Sequence, residues 1–387
     1  MIRRLLADRI RKTTKSVLLL GPRQVGKSTL TRSLAPEFIV NLADEELFLS
    51  YSKTPARLKR EILALKKPSL IVIDEIQRVP ALLNTVQALL DSGLKHRFIL
   101  TGSSARKLKR GNANLLPGRI LLEHLDPLSI WELKDALDLE TVLQRGCLPE
   151  VYLNKDEGQD ILDSYTTLYL REEIQAEALA KNVGTYARFL DIAAEASGEW
   201  LNYAKIASDS EIPKETIRRF YQILEDTLLA FKIPAFKAQN SKRRVSQRDR
   251  YLFFDIGVRN AILGIHRQKL TTTEKGKLFE QWFLLQCLSF CHFHKANWKI
   301  SSYRTESGAE VDVIIDVGTK FLAIECKYGK VVTEAQMKGL RSFEEIAHKP
   351  VEKFLVFQGE REQKFSKGEI AVPYREFLLE TLPRFAR

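Results

Sequence analysis

A nine-residue segment near the start of the chain constrains its fold more than any other feature. Residues 21–29 read GPRQVGKST and match the pattern GxxxxGK[ST] at every position. The apolar run SVLLLG (16–21) precedes the segment, and a helical pattern begins at Ser28. The backbone N–H groups of such a loop surround phosphate groups, and its lysine contacts them. The sequence therefore predicts a phosphate-binding loop between a strand and a helix.

This loop predicts a binding site for ATP and Mg²⁺. We expect Lys27 to reach the β- and γ-phosphates and the Ser28 hydroxyl to bind Mg²⁺. The residues expected to contact the nucleotide are Gly21, Pro22, Arg23, Gln24, Val25, Gly26, Lys27, Ser28 and Thr29.

A second motif follows later in the same region. Residues 70–75 read LIVIDE, in which four apolar strand residues are followed by two carboxylates. Asp74 is expected to hold Mg²⁺ through water, and Glu75 to polarise the water that attacks the γ-phosphate. The expected outcome is hydrolysis of ATP and not binding alone.

The hydrophobic pattern around these motifs predicts an α/β domain with a parallel sheet. Further apolar runs at 68–74, 97–103 and 119–125 alternate with helical patterns. The runs are continuous, which is typical of parallel strands that are covered on both faces. Alternation of strands and helices is typical of a parallel sheet with helical crossovers.

The length of 387 residues predicts about two to four domains. We expect the first, which carries the phosphate-binding loop, at 1–135. Residues 136–190 contain helical patterns without strands and predict a helical lid. Residues 191–265 contain two short helical patterns followed by a strand pair, which predicts a winged helix. Residues 266–387 predict a second α/β domain with its own core.

The last of these regions carries its own carboxylates. Asp312 lies in the run EVDVII, and Glu325 and Lys327 lie in the returning run FLAIECK. Spacing alone does not settle whether a hairpin brings the two runs into facing register.

The arrangement resembles the PD-(D/E)xK nucleases, which implies a restriction-endonuclease-like fold. In those enzymes the Asp and Glu bind one or two Mg²⁺ ions and the Lys assists the attacking water. Glu280, in the helix GKLFEQWF, resembles an acidic residue on their first helix, and Val311 departs from the proline of their motif. The resemblance implies a metal set of Glu280, Asp312 and Glu325. A binding domain derived from a nuclease, or coincidence, are the alternatives.

Taken together, the motifs resemble predicted AAA-type ATPases of bacteria and archaea whose C-terminal half is a domain of unknown function. The segments that carry the resemblance are GPRQVGKST, IVIDEIQRVP, LTGSSA, LPGR and RGCLPE (145–150), where Cys147 replaces a glycine of the family pattern. The resemblance covers nearly the whole chain. It implies a homo-oligomeric ring, such as a hexamer, with an ATPase site at each subunit interface. It also implies a γ-phosphate sensor at Ser103, with Thr101 and Ser104 as alternatives, and an arginine finger at Arg119.

The charge balance favours a polyanionic partner. The chain has 61 Lys and Arg against 49 Asp and Glu, a net charge of +12. Nucleic acid is the preferred partner because no membrane anchor is evident. The predicted recognition helix and wing offer the cations expected to contact DNA, which are Lys214, Arg218, Arg219, Lys242, Arg243, Arg244 and Arg248.

These features predict a cytoplasmic, ATP-dependent enzyme that binds and cleaves DNA, with branched DNA as one expected substrate. None of the four cysteines forms a CxxC pair, and no apolar run approaches the ~18 residues of a membrane span. Two alternatives stay open. One is a regulatory or signalling ATPase whose nuclease-like domain binds DNA or a partner without cutting. The other is an ATPase that remodels proteins.

Overall fold

The computed structural model describes residues 2–103, 118–169, 183–238 and 245–386. These residues form two compact units. The first contains the chain up to Leu128 together with Leu224–Leu229. The second contains Ser129–Ile223 and the chain from Ala230 onward.

The first unit is built on a five-stranded sheet whose strands are all parallel, in the order β2-β3-β4-β1-β5. The strands are β1 (Ser16–Leu20), β2 (Phe38–Asn41), β3 (Leu70–Asp74), β4 (Arg97–Gly102) and β5 (Ile120–His124). All five residues of β1, which lies between β4 and β5 in the sheet, are buried. The expected parallel α/β domain is therefore confirmed.

Among the described residues of this unit, five helices accompany the sheet. They are α1 (Leu5–Lys12), α2 (Lys27–Arg32), α3 (Glu45–Lys53), α4 (Ala56–Leu63) and α5 (Ala81–Asp91). The apolar side of α5, including Leu82 and Val86, shares a core with Ile71 and Ile73 of β3. The apolar runs located four of the strands but missed β2. In that short edge strand only Val40 is buried, so it lacks a continuous hydrophobic signal.

The chain from residue 129 onward contains most of the helices. They are α6 (Ile130–Leu133), α7 (Leu139–Arg145), α8 (Pro149–Leu153), α9 (Gly158–Ser164), α10 (Val183–Glu195), α11 (Tyr203–Ser210), α12 (Lys214–Asp226), α13 (Ile256–Ile262), α14 (Thr272–His294), α15 (Lys338–Glu344) and α16 (Tyr374–Glu376). Within the described ranges, no helix combines the length and hydrophobicity needed to cross a membrane.

Short 3₁₀ or π segments extend or connect several of these elements. They are Ile76–Arg78, Lys134–Ala136, Tyr165–Tyr169, Glu334–Met337, Phe377–Thr381 and Leu382–Ala386.

Two further sheets lie in the second unit. One is an antiparallel pair of β6 (Ala230–Ile233) and β7 (Arg250–Phe253). The other has six strands in the order β12-β13-β11-β10-β9-β8. Its strands are β8 (Lys299–Arg304), β9 (Glu310–Asp316), β10 (Phe321–Cys326), β11 (Val351–Phe357), β12 (Gln363–Lys364) and β13 (Ile370–Pro373). Strands β8, β9 and β10 are antiparallel, whereas β10, β11 and β13 run parallel.

The outer side of β8 is not left open. The Phe236 N–H donates to the Ser302 C=O at 2.8 Å, and the Ser246 N–H donates to the Arg304 C=O at 2.8 Å. The segments on both sides of the predicted basic wing therefore pair with the sheet edge. The sequence did not predict this pairing, because the strand pattern before the basic segment does not indicate which strand it pairs with. Residues 239–244, at the centre of the predicted wing, lie outside the described ranges.

A buried aspartate joins the RGCLPE segment (145–150), which carried part of the family resemblance, to the start of α13. Asp255, at the start of α13, accepts hydrogen bonds from the Cys147 N–H at 2.6 Å and the Val258 N–H at 3.0 Å. A Cβ on Gly257 would lie 1.9 Å from the Arg145 carbonyl oxygen, so only glycine fits there. Burial raises the pKa of Asp255 to about 6, and the backbone donors oppose this rise.

Candidate nucleotide site and C-terminal carboxylate cluster

The phosphate-binding loop follows β1 and ends where α2 begins. Its backbone needs glycine at two positions. A Cβ on Gly21 would lie 2.3 Å from the Leu125 carbonyl oxygen, and Gly26 has a φ of 91°. The Gly21 N–H donates to the Gly102 C=O at 3.2 Å, so the loop begins beside the end of β4. Strand β1, the loop and helix α2 thus have the order that the sequence predicts.

Lys27 is the first residue of α2, directly after the loop, and its side chain is buried. Its Nζ donates to the carbonyls of Gly21 at 2.8 Å and Pro22 at 2.7 Å. Phosphate oxygens are stronger acceptors than these carbonyls because they are charged. The ammonium group is therefore positioned to exchange carbonyl partners for phosphate.

Arg4, which the sequence did not single out, braces the same loop. Its guanidinium donates to the Val25 C=O at 2.5 Å and to the Asp126 C=O at 2.6 Å. The Arg4 side chain thereby links the loop to the segment after β5, which is distant from it in sequence. No local pattern marks this residue, because its partners are backbone carbonyls brought near by folding.

The two carboxylates after β3 have different surroundings. Asp74 is buried and accepts a hydrogen bond from the Thr101 hydroxyl. The same hydroxyl oxygen accepts the Glu75 N–H at 3.1 Å. Glu75 has a left-handed backbone with φ of 59°, which costs a non-glycine residue about 1–2 kcal/mol. This conformation turns the chain at the end of β3, after which Gln77 contacts the Glu75 carboxylate.

Gln77 connects Glu75 to the expected γ-phosphate sensor. Its Nε2 donates to the Glu75 carboxylate and to the Ser103 hydroxyl, the latter at 3.1 Å. Gln77 is buried, and its Oε1 has no hydrogen-bond partner among the described residues. The carboxylate requires a donor, which fixes the orientation of the amide. Sequence reasoning missed Gln77, although it stands only two residues beyond Glu75.

The structure thus brings Asp74, Glu75 and Ser103 together near the phosphate-binding loop. They follow β3 and β4, and in the sheet β4 lies between β3 and β1. The carboxyl ends of parallel strands meet at one edge of a sheet, where ligands commonly bind. The hard oxygen donors of Ser28 and Asp74 are the kind that Mg²⁺ requires, so these residues fit the metal.

The expected arginine finger has a partner within the chain. Arg119 forms an ion pair with Asp91 of α5, and both side chains are exposed.

Ser104, an alternative to Ser103 as the γ-phosphate sensor, lies outside the described residues. Thr101, the other alternative, holds Asp74 and Glu75.

In the second unit, β9 and β10 align the predicted nuclease residues. Val313 pairs with Ile324 as the last pair of this antiparallel ladder, and the same register continued by one step sets Asp312 opposite Glu325. Directly opposed side chains share one face of a sheet, and Lys327 shares it with Glu325. The Lys327 Nζ donates to Glu325 Oε1 at 2.6 Å. The register question that the sequence left open is thereby answered.

Arg250, at the start of β7, enters the same cluster. Its guanidinium donates to the Glu280 carboxylate, to the Ser302 hydroxyl at 3.0 Å and to the Asp312 C=O at 3.3 Å. Only 3% of the Arg250 side chain is exposed. The sequence placed this residue at the end of a basic segment and gave no sign that it turns inward.

Burial and mutual repulsion shift the pKa values in this cluster. Burial, followed by the charges of Glu280 and Glu325, raises the pKa of Asp312 well above its usual value. Burial raises the pKa of Glu325 to about 7, although Lys327 opposes the rise. Burial by itself lowers the pKa of Lys327, but the charges of Glu325 and Asp312 outweigh it and the net pKa is raised.

As arranged, the cluster does not fit a metal ion. Among the described residues, no group of three or more His, Cys, Asp or Glu side chains has an arrangement that could hold one. Each carboxylate is bound by the protein itself. Glu280 pairs with Arg250, Glu325 pairs with Lys327, and Asp312 accepts the Cys326 N–H at 2.7 Å. The expected metal set is therefore assembled, but each of its three carboxylates has an oxygen that is bound by a protein donor.

Four of the cations expected to contact DNA lie in described segments and are exposed. They are Lys214, Arg218, Arg219 and Arg248. Arg218 donates to Glu215 at 2.9 Å, and its guanidinium lies 5.5 Å from the centre of the Tyr203 ring. The other three, Lys242, Arg243 and Arg244, lie outside the described residues.

Three family models match consecutive parts of the chain. The model described as AAA domain matches residues 13–134. Models for two domains of unknown function match residues 136–269 (DUF8612) and 275–377 (DUF4143). Residues 13–134 therefore match an AAA domain, which confirms that part of the sequence-based expectation.

Two curated mycobacterial proteins are similar to most of the chain. They are uncharacterized protein Mb2031c of Mycobacterium bovis and uncharacterized protein Rv2008c of Mycobacterium tuberculosis. Each is 27% identical over 369 residues, which is 94% of this chain and 80% of the relative.

Two solved structures show only distant similarity. One is a Signal Transduction ATPase with Numerous Domains with a tetratricopeptide repeat sensor, PH0952 from Pyrococcus horikoshii. It has a TM-score of 0.24 and 16% identity over 76% of this chain, which spans about half (47%) of that protein. The other is the replication initiator DnaA bound to AMPPCP and single-stranded DNA. It has a TM-score of 0.27 and 14% identity over 57% of this chain and 84% of that one. Similarity at this level identifies no function.

Proposed function

We propose that the AAA domain binds ATP with Mg²⁺ and hydrolyses it, and that hydrolysis drives the processing of DNA. The observation that carries the ATPase proposal is the hydrogen-bonded chain from Asp74 through Thr101 to Glu75, Gln77 and Ser103. These hydrogen bonds support the proposal because they link the Glu75 carboxylate to the Ser103 hydroxyl through Gln77.

Each group has a separate task in this proposal. Lys27 leaves the loop carbonyls and binds the β- and γ-phosphates. Ser28 and Asp74 hold Mg²⁺, which neutralises phosphate charge when bound. Glu75 orients the attacking water and accepts its proton, and Ser103 donates to the γ-phosphate. Arg119 of one subunit reaches the nucleotide of its neighbour in a homo-oligomeric ring.

The test is ATP hydrolysis by wild type and Glu75→Gln, with Glu46→Gln as the matched control. Glu46 is an exposed glutamate of α3, away from the motif. We expect Glu75→Gln to lower kcat by about 100-fold or more, because the amide cannot accept the proton. Binding of a fluorescent ATP analogue should persist. Unchanged hydrolysis by Glu75→Gln would remove Glu75 from the mechanism, and no hydrolysis by wild type would refute the ATPase proposal.

Cleavage of DNA by the C-terminal region is a second candidate function. The observation that favours it is the shared face of Asp312, Glu325 and Lys327 on adjacent strands. Exposed cations of α12 offer contacts to phosphate, which position DNA without reading its sequence.

The test uses labelled linear, forked and four-way-junction DNA with Mg²⁺, with and without ATP. Asp312→Ala is the control. Cleavage that disappears in Asp312→Ala would support a nuclease, and the order of substrates would define its preference. Binding without cleavage would favour the regulatory alternative. ATPase stimulation by polypeptide, with no response to DNA, would favour a protein remodeller.

The remaining assignments belong to the same proposal. The domains are an ATPase domain at 1–135, a helical lid at 136–190, a winged helix at 191–265 and a nuclease-like domain at 266–387.

The protein acts in the cytoplasm as a homo-oligomeric ring, and a hexamer is the first assembly to test. Light scattering of Glu75→Gln with ATP measures the assembly, and a monomer under these conditions would exclude a ring.

A further inference from the structure

Arg250 carries a positive charge in a place where charge is costly. Its Nε donates to the Gly198 C=O at 2.6 Å, and its two other nitrogens contact Glu280, Ser302 and Asp312. A buried guanidinium without such partners would cost several kcal/mol, because it is removed from water. The hydrogen bonds therefore hold it in one orientation, directed at the carboxylate cluster.

Three separate segments set this position. Trp200, which forms a β-bridge with Arg250, presents its ring 5.7 Å from the guanidinium. The Trp200 Nε1 also donates to Glu310 Oε1 at 2.5 Å, at the start of β9. Ser302 of β8 contacts both Arg250 and the Asp312 carbonyl, the latter at 2.7 Å. The guanidinium is thus part of the packed structure and not a surface cation that has folded over.

The cluster that Arg250 faces has the donors of a cation site. Glu280, Asp312 and Glu325 are carboxylates, the ligands that Mg²⁺ and Mn²⁺ prefer. Glu325 Oε2 is buried and has no hydrogen-bond partner among the described residues. Only Arg250 and Lys327 supply positive charge to these carboxylates in the described contacts.

We propose that Arg250 is the resident counter-cation of this carboxylate cluster and that it competes with a divalent metal ion for Glu280. A metal that uses Glu280 requires lone pairs of the carboxylate that now accepts the guanidinium. Both cations also gain from the same negative charge, so binding of one opposes binding of the other. This competition explains why the assembled carboxylates do not present an open metal site.

The competition predicts a gain of binding when the guanidinium is removed. The apparent dissociation constant of the metal rises in inverse proportion to the fraction of molecules in which Glu280 is free. If Arg250 occupies Glu280 in about nine molecules of ten, its removal tightens metal binding about tenfold. A gain is a stringent result, because a misfolded variant loses binding instead. For its functional meaning the inference rests on the proposed DNA cleavage, but the metal measurement does not depend on cleavage.

The experiment measures Mn²⁺ binding to the full chain without nucleotide, by electron paramagnetic resonance of the free ion. The variants are Arg250→Met, Arg250→Met combined with Glu280→Gln, and Arg259→Met as the matched control. Arg259 is a half-buried arginine of the same unit that donates to the Ala194 C=O at 3.0 Å and to Asn260 Oδ1 at 3.0 Å. We expect binding about tenfold tighter in Arg250→Met, unchanged in Arg259→Met, and no tighter than wild type in the double variant.

Two results would overturn the proposal. One is wild-type affinity equal to that of Arg250→Met, and the other is a gain that persists when Glu280 is replaced. Circular dichroism checks that each variant folds. If Arg250→Met does not, Arg250→Gln retains hydrogen-bonding capacity towards Gly198 or Ser302 and replaces it in the same comparison. A gain of Mn²⁺ binding without DNA cleavage by any variant would refute the cleavage proposal and leave the competition standing.

Discussion

The nucleotide site and the C-terminal carboxylate cluster hold their acids in opposite ways. In the nucleotide site, a hydroxyl and an amide, Thr101 and Gln77, donate to Asp74 and Glu75. In the C-terminal cluster, two cations, Arg250 and Lys327, bind Glu280 and Glu325. Neutral donors orient a carboxylate but leave its charge for a metal or a proton. Cationic donors neutralise that charge.

The two sites also differ in how their residues are distributed along the chain. The nucleotide site uses three short segments that end or follow neighbouring strands of one sheet, around residues 21–29, 74–77 and 101–103. The C-terminal cluster draws on β7, α14, β8, β9 and β10. A site of the first kind can be recognised as a motif. A site of the second kind depends on packing among many elements.

The largest expected effect concerns the contribution of Lys27 to nucleotide binding. Lys27→Ala should weaken binding of a fluorescent ATP analogue by about 100-fold or more, because it removes a buried charge from the phosphates. Lys53→Ala, at the exposed end of α3, is the control. Equal affinity of Lys27→Ala and wild type for the analogue would show that the loop is not the nucleotide-binding site.

Asp255 provides a second test of the difference between the two sites, because it is a carboxylate of the second unit that is held by neutral backbone donors. Its folded-state pKa of about 6 lies above the usual value, so the folded protein binds this proton more tightly than the unfolded chain. The contribution to stability is present at low pH and is lost as pH rises from about 4 to about 6, by about 3 kcal/mol.

The measurement compares urea unfolding of wild type and Asp255→Asn across this pH range. Wild type should lose about 3 kcal/mol relative to Asp255→Asn as the pH rises, because the amide does not ionise. A difference between the two proteins that stays constant with pH would show that Asp255 is charged throughout, as a cation-paired carboxylate would be.

Gln77→Met tests whether a neutral donor is needed beside Glu75. Methionine has a similar length but cannot donate to Glu75 and Ser103. We expect kcat for ATP to fall about tenfold with KM within about twofold, because the amide orients the carboxylate and does not bind the nucleotide. Gln87→Met, on α5, is the control. A rise in KM with unchanged kcat would instead assign Gln77 to nucleotide binding.

The smallest expected effect concerns DNA. Arg218→Ala should weaken binding of duplex DNA only about twofold, because Glu215 already binds its guanidinium. The slope of log K against log salt concentration should change by less than the loss of one phosphate contact would cause. Filter binding at several salt concentrations measures both quantities. A loss of tenfold or more would show that Arg218 leaves Glu215 for DNA, as a metal would take Glu280 from Arg250.

The sequence predicted the parts of the fold that rest on local pattern. Continuous apolar runs located β1, β3, β4 and β5, and the nucleotide motif located its loop. The half-exposed β2 carried too little hydrophobicity to be recognised. The facing of Asp312 and Glu325 depends on the turn at residues 317–320, where Gly318 has a φ of 97°. The residue types in β9 and β10 alone did not predict how the two strands pair.

The sequence did not identify one polar residue in each site, and the physical reason is the same for both. Gln77 and Arg250 are ordinary surface residue types whose burial depends on tertiary contacts. Arg250 follows a run of basic residues, and in such a run the sequence offers no means of telling an inward cation from an exposed one. Its partners Gly198, Glu280 and Ser302 are far from it in the chain.

The pairing of Phe236 and Ser246 with β8 has a consequence for solubility. A strand at the end of a sheet exposes unsatisfied N–H and C=O groups, and these can recruit strands from other molecules into aggregates. Here the flanks of the basic segment cover part of that edge. A shortened chain that removes these flanks along with the basic residues would therefore be expected to precipitate, whereas one that keeps both flanks would not.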